Sequence, residues 1–490
     1  MRSLPFLITG MLLVQLTFGQ TFQPTFRESK RTTHKISKKQ DYTFGYLEVL
    51  EDRSQPNGKT IQLPVYIFKS RSENPAPDPI IYTVGGPGSS TMRSAQYAAY
   101  YQYLDDRDFI FFEQRGTAYA EPHLDCPEWS VAVRETNQPG FDVHKADSVL
   151  VAAAQACKTR LEAAGINLNG YRTTESAADI ADLKTALGID QYNLLTISYS
   201  TKIAQVLLRD HPEGIRSVVM DSPLPLEVSY DEESTDNLMA ALEALLEGCE
   251  NDANCNGSYP DLKPRFLQYL RDKSSNPLQV EVEHPETGAI ETFQLRGQDL
   301  VTIFTYAYTG DVPNIPLEIN KLLNGDLSTI KAELQSLFGE PGSGAGVGMR
   351  LSVWCAEEYP FVDQKAVAAA TERHPEIRGL SPTVFSAEVC ETWGVKPAAP
   401  LENEAIQSEV PVLVMGGEYD NETPPAWARQ LHQNLPNSQL LIFPAWRHNV
   451  TTNWSNPCAM EAANAFFNAP KQLPKLDCLE EIGPPVFKVE

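Results

Sequence analysis

Short apolar runs of strand length recur along this chain, with helix-patterned segments between them. The runs are Gln62–Phe68, Ile80–Val84, Phe109–Glu113, Asn193–Ile197, Ser217–Asp221, Val410–Met415 and Gln439–Phe443. A strand that is apolar on consecutive residues has no wet face, so it must be covered on both sides, and helical connections supply that cover. The pattern predicts a mostly parallel sheet flanked by helices, an α/β fold. An antiparallel start precedes it, with Tyr42–Leu50 joined through a polar Pro-Asn-Gly turn to Ile61–Phe68. A helix over Ser176–Leu187, with Thr174 as expected N-cap and Gly188 as C-cap, leads into the Tyr192–Ile197 strand.

Between Pro223 and about Ser408 the pattern changes. Helical stretches Asn237–Cys249 and Tyr259–Lys273 dominate, a hairpin-like pair Leu278–Glu283 and Glu291–Leu295 surrounds a Pro-Glu-Thr-Gly turn, and Glu340–Gly348 reads as a glycine-rich hinge or loop. The strand signature resumes at Val410. The expected division is therefore residues 38–222 and 409–490 as the two parts of one core, with 223–408 a largely helical cap inserted between sheet strands. A chain of 490 residues, 42% hydrophobic, is long enough for that arrangement. Residues 1–19 carry one arginine, an apolar stretch Leu4–Leu16 and small residues near Gly19, the layout of a signal peptide. That stretch is too short and interrupted for a membrane span, so an exported protein, periplasmic or secreted, is expected.

Eight cysteines fit an oxidising compartment, and sequence proximity suggests the pairs Cys126–Cys157, Cys249–Cys255, Cys355–Cys390 and Cys458–Cys478. There is no Cys-x-x-Cys and no histidine beside a cysteine, so neither a metal site nor a cofactor is expected. The formal net charge of −24 and the lack of any basic run argue against nucleic acid. Acidic balance suits solubility, and it also attracts cationic substrates such as peptides with a free amino terminus. The oligomeric state is left open.

The run ending in Leu194-Leu195-Thr196-Ile197-Ser198-Tyr199-Ser200-Thr201 continues as a helix-like segment, the layout of a nucleophile elbow. There a serine on a strained strand-to-helix turn projects above the carboxyl edge of the sheet. The positions two before and two after the serine are normally small; here they are Thr196 and Ser200. Centring the turn on Ser200 would place Lys202 at a crowded position, so Ser198 is the better nucleophile. A serine needs a base and an orienting carboxylate, in chain order Ser, acid, His. Asp420 follows the Val410–Met415 strand, with Glu418, Glu422 and Asp221 as competitors, and His448 follows Gln439–Phe443. For the oxyanion, the Tyr199 N–H is one donor. The loop Gly85-Gly86-Pro87-Gly88 offers a second at Gly86, because Pro87 has no N–H.

Four segments in this order carry a family resemblance: Gly85-Gly86-Pro87-Gly88, Glu113-Gln114-Arg115-Gly116-Thr117, the Ser-Tyr elbow, and Gly417-Glu418-Tyr419-Asp420 with Thr423-Pro424-Pro425. From about Phe44 to about Phe467 the chain resembles the prolyl iminopeptidase and tripeptidyl aminopeptidase branch of the α/β-hydrolases. The resemblance implies an α/β-hydrolase fold and a serine exopeptidase acting on peptides with free amino termini; an esterase or an inactive binding scaffold are the other readings. It also implies acidic cap residues that hold the substrate amine. Cys355-Ala356-Glu357-Glu358 is similar to the family's Cys-x-acid segment, which makes Glu357, with Glu358, the candidates, against a plain solvated helix surface. Arg115 is expected to buttress loops. The departures are the missing elbow glycines, Glu113 in place of aspartate, and Arg447 where a small residue is common. Sequons begin at Asn421 and Asn449, beside the proposed acid and base, so an unglycosylated, bacterial-type protein is expected.

Overall fold

The computed structural model describes residues 22–136, 141, 145–285, 287–306, 309–335, 338, 342–378 and 383–490; residues 1–19, where a signal peptide is expected, lie outside them. Eleven strands occur among the described residues: β1 (Thr25–Glu28), β2 (Tyr42–Leu50), β3 (Thr60–Phe68), β4 (Ala76–Thr83), β5 (Arg107–Phe112), β6 (Tyr192–Ile197), β7 (Ile215–Asp221), β8 (Leu278–Glu283), β9 (Ile290–Leu295), β10 (Val412–Gly417) and β11 (Ser438–Phe443). Nine form one sheet in the order β1-β2-β3-β5-β4-β6-β7-β10-β11, and β8 and β9 form a separate hairpin. The pairs β1–β2, β2–β3 and β3–β5 are antiparallel, while every pairing from β5 through β11 is parallel. The chain therefore has the α/β-hydrolase architecture, and each apolar run seen in the sequence lies on one of its strands.

Alternation along the strands divides the interior into two layers, as a pleat with period two requires. Leu194, Val218 and Val414 pack on one face with Ile203, Leu207, Ala428 and Leu431. Their neighbours Leu195, Val219 and Leu413 pack on the other face with Phe466 and Phe467. Both faces are covered, which is why the runs are continuously apolar. Edge strand β1 gave no such signal because three of its four side chains are exposed.

Between β7 and β10, helices Tyr230–Asn251, Leu262–Ser275, Gly297–Thr305 and Ile315–Leu323 gather with the β8–β9 hairpin around a core of their own. The later part behaves differently. Leu351, Trp354, Val389 and Trp393 pack against Leu124, Cys157 and Tyr171. The glycine-rich stretch is a packed loop: a Cβ on Gly346 would lie 2.0 Å from the Gly88 carbonyl oxygen, and one on Gly344 2.1 Å from that of Cys126. All four suggested disulfides are present. No helix among the described residues is long and apolar enough to cross a membrane.

One local expectation is corrected. The helix before β6 begins at Thr173, with Arg172 rather than Thr174 at its N-cap and no side-chain cap from its own residues. Its first N–H is instead taken by the Glu357 carboxylate, 184 residues away, at 2.7 Å. At the other end Gly188 adopts the left-handed conformation, φ 65°, as expected of a C-cap.

Candidate active site

Five parallel strands, β4, β6, β7, β10 and β11, release their loops at one edge of the sheet, and the candidate residues lie on the segments that follow them. Ser198, directly after β6, has φ +58°. A non-glycine residue there is strained, and the turn holds it by hydrogen bonds. The Ser198 N–H donates to the Asp221 carbonyl at 2.9 Å, and its own carbonyl accepts from Thr201 N–H at 2.9 Å and Thr201 Oγ1 at 2.7 Å. Ser198 is half-buried, whereas Ser200 is fully enclosed.

The missing elbow glycines have a physical explanation. Ser200 Oγ accepts from Ile197 N–H at 2.8 Å and lies 2.9 Å from the carbonyls of Thr83 and Ile197, so its hydroxyl is committed to the turn. Thr196 Oγ1 donates to the Val219 carbonyl at 3.2 Å. The glycine that permits close approach is on the facing loop. A Cβ on Gly85 would lie 2.6 Å from Ser198 Cβ and 2.8 Å from Tyr199 N. Gly86, with φ +119°, continues this loop past the elbow.

Asp420 is 1% exposed, and its carboxylate is fixed by four donors. Oδ1 accepts from the N–H groups of Glu422 and Thr423, both at 2.9 Å; Oδ2 accepts from Thr423 Oγ1 at 2.9 Å and faces His448 Nδ1 at 2.8 Å. Burial opposes charge on both partners, but their mutual attraction prevails. Asp420 is held below the usual carboxylate range, and His448, beside Asp420, Glu422 and Asp221, is lifted to about 9. No hydrogen bond joins Ser198 Oγ to His448 Nε2 among the described residues. Of the competing acids, Glu418 accepts from Ala445 N–H at 2.8 Å, Glu422 lines a cavity, and Asp221 is bonded to the loop beyond His448 rather than to the imidazole. Thr423, which bridges Asp420 and His448 Nδ1 (3.1 Å), was visible in the sequence only as part of the Thr-Pro-Pro motif.

The flanking segments hold these loops in place. Glu113 Oε2 accepts from Ser90 Oγ at 3.0 Å and Met92 N–H at 3.1 Å, tying down the end of the glycine loop. Arg115 is fully buried; it donates to both Asp179 oxygens and to the carbonyls of Glu51, Leu50 and Gly170, a buttress as expected. Arg447 is large for a reason: it donates to the Phe304 and Thr305 carbonyls at the end of helix Gly297–Thr305, so the residue before His448 grips the inserted segment. Gly417 lets the histidine loop cross, since a Cβ there would meet the Trp446 carbonyl oxygen at 2.3 Å. Asn421 is buried with its Nδ2 enclosed, which leaves no room for a glycan on the folded chain.

Glu357 and Glu358 are not on a solvated surface. Both are buried, Glu357 on Thr173 and Glu358 in an ion pair with Lys202, a residue of the elbow helix. Thr173 Oγ1 is also 2.7 Å from Tyr199 Oη, so the acidic segment reaches the elbow through one threonine. Burial pushes the Glu357 carboxyl up to about 7. Thr173 and Lys202 carried no functional signal of their own in the sequence. A cavity of about 440 Å³ beside His448 is lined by Tyr306, Asp311, Asn421, Glu422 and Trp454. A larger one, about 670 Å³, lies at Ala76, Asp108 and Gln191, at the amino ends of β4, β5 and β6, remote from these groups. Sites in such sheets sit at the carboxyl edge, and the candidate residues here lie at that edge.

Residues 78–257 match the α/β-hydrolase-fold family, and residues 380–478 match the family described as TAP-like protein. Over 451 residues, the chain is 24% identical to the tripeptidyl aminopeptidase of Streptomyces coelicolor, covering 86% of this chain and 80% of that protein. It is 22% identical to the serine protease Hip1 of Mycobacterium tuberculosis, over 86% of this chain and 84% of the relative. Among solved structures, the proline iminopeptidase of Mycobacterium smegmatis superposes with a TM-score of 0.37 at 15% identity, over 84% of this chain and 96% of that one. The chain thus has an α/β-hydrolase fold with a TAP-like segment over residues 380–478, and it is similar to a tripeptidyl aminopeptidase and a serine protease.

Proposed function

We propose that the protein is an exported serine aminopeptidase that releases amino-terminal residues or short peptides, with Ser198, His448 and Asp420 as its catalytic residues. The observation that carries this reading is the Asp420–His448 hydrogen bond on loops that leave the same sheet edge as the strained Ser198 turn. His448 Nε2 takes the Ser198 proton as Oγ attacks the scissile carbonyl, and the N–H groups of Tyr199 and Gly86 receive the oxyanion. His448 then protonates the leaving amine. Water, deprotonated by the same imidazole, opens the acyl-enzyme and returns the proton to Ser198. Residues 223–408 act as the cap, and Glu357 supplies the charge that reads the substrate amine, while Glu358 neutralises Lys202. No cofactor enters this scheme.

The test is an assay of the mature protein on peptide amides with free amino termini, the same peptides blocked, and short-chain esters, alongside Ser198→Ala. Free peptides should be cleaved and blocked ones spared, with activity lost in the variant. Equal cleavage of free and blocked peptides overturns the aminopeptidase reading, esters alone point to a carboxylesterase, and activity surviving in Ser198→Ala removes the nucleophile.

A further inference from the structure

Asp221 ends β7, is fully buried, and takes no part in the chemistry above. Its backbone carbonyl accepts the Ser198 N–H at 2.9 Å. Its side chain faces the other way, onto the residues after His448. Oδ1 accepts from Val450 N–H at 3.0 Å and Ser222 Oγ at 2.9 Å; Oδ2 accepts from Thr451 N–H at 2.8 Å and Thr451 Oγ1 at 2.5 Å. Ser222 Oγ in turn accepts from Asn449 N–H at 2.9 Å. Three consecutive N–H groups after His448 are thus held, directly or through one hydroxyl, by the residue whose carbonyl holds the nucleophile. Asn449, where the chain turns away from the imidazole, has φ +65° and needs such restraint.

We propose that Asp221 is a positioning residue that fixes the distance and angle between Ser198 and His448. A buried carboxylate satisfied by four donors is a rigid joint, because losing any one bond leaves a polar group unpaired. It serves both loops at once, so a shift at Asp221 moves nucleophile and base relative to each other without contacting the Ser198 hydroxyl or the His448 imidazole. This inference rests on the catalytic reading of Ser198 and His448.

Asp221→Asn is the test, because the amide keeps the shape but turns an NH2 toward donors on Thr451. The readouts are kcat and KM separately, the rate at which a fluorophosphonate labels Ser198, and the downfield proton resonance of His448 Nδ1–H. A misplacement near 1 Å lowers rate about 100-fold. The expected result is that fall in kcat and in labelling rate, with KM unchanged and the resonance shifted or broadened. Thr451→Val and Ser222→Ala each remove one partner and should give smaller losses of the same kind; they carry the test if Asp221→Asn does not fold. A folded variant with a lower melting temperature but wild-type labelling and kcat makes Asp221 merely structural and overturns the proposal. A wild-type chain that never labels overturns the catalytic reading itself.

Discussion

Glu357→Gln separates an acid that reads the substrate from one that only supports the elbow. Glutamine is nearly isosteric and fits the existing bonds. Its amide oxygen can accept from Thr173 N–H as the carboxylate does at 2.7 Å, and the Thr173 hydroxyl, placed between Glu357 and Tyr199 Oη, can rotate to accept from the NH2 group. The variant should therefore fold and lose only the charge. In the protein this carboxyl titrates near 7 rather than at its ordinary 4.5, chiefly because it is buried. Folded chains hold the proton more tightly than unfolded ones, so between those two values the folded state binds more protons and stability falls as pH rises, levelling above 7. At about 1.4 kcal/mol per unit the fall is about 3 kcal/mol. Glu357→Gln should abolish that slope and be the more stable form at pH 8.

Activity should move the opposite way. A substrate α-amine is protonated below about 7.7 to 8.0, so carboxylate and ammonium coexist near pH 7.5. Losing a charge-assisted hydrogen bond there costs roughly 1.5–3 kcal/mol, a rise in KM of about 10-fold to 150-fold. At pH 5.5, where Glu357 is mostly protonated, the two proteins should converge. Melting curves across pH 4.5–8.5 and KM for one free and one blocked substrate at pH 5.5 and 7.5 are the assays. Equal effects on free and blocked substrates, or no change in KM at pH 7.5, would refute the amine-anchor argument and leave Glu357 as a support for Thr173 and Tyr199.

The base makes a second pH prediction. His448 must be neutral to accept a proton, and its environment holds it charged up to about 9, so the rate at which a fluorophosphonate, which has no amine to titrate, labels Ser198 should climb through neutral pH and level above 9. Asp420→Asn should move that midpoint toward the ordinary 6.5 and lower kcat about 10⁴-fold, by analogy with triads in which the acid fixes the tautomer; an unshifted acid limb would deny Asp420 its role. Gly85→Ala should reduce kcat more than about 100-fold, because its Cβ would sit 2.6 Å from Ser198 Cβ. Gly416→Ala is the control, since its Cβ would meet nothing closer than 3.6 Å. Equal activity in the two variants would show that the glycine loop is not packed on the elbow.

The parts of this molecule that were legible in sequence are those encoded by neighbours along the chain. Strands buried on both faces announce themselves as unbroken apolar runs, and Ser198, Asp420 and His448 stand out because each lies in the segment that follows one. What stayed hidden depends on contacts across the chain. Thr174 looks like a helix cap by local rules, yet the N-cap is Arg172, two residues earlier, because a carboxylate 184 residues away takes the Thr173 N–H. Thr196 and Ser200 look like damage to an elbow when the pentapeptide is read alone. The steric demand that glycines usually meet there is met instead by Gly85 on the facing loop, and the two hydroxyls bond the strand carbonyls they approach. The same logic explains Arg447: a side chain too large for its loop is needed once a helix end must be gripped beside the histidine. In each case the residue that breaks a local rule is bonded to a segment remote in sequence. The inserted segment is thereby joined to the elbow through Glu357 and Glu358, to the histidine loop through Arg447, and to the glycine loop through Gly346. A segment joined at these points can act on the geometry of the proposed reacting groups as well as on access to them.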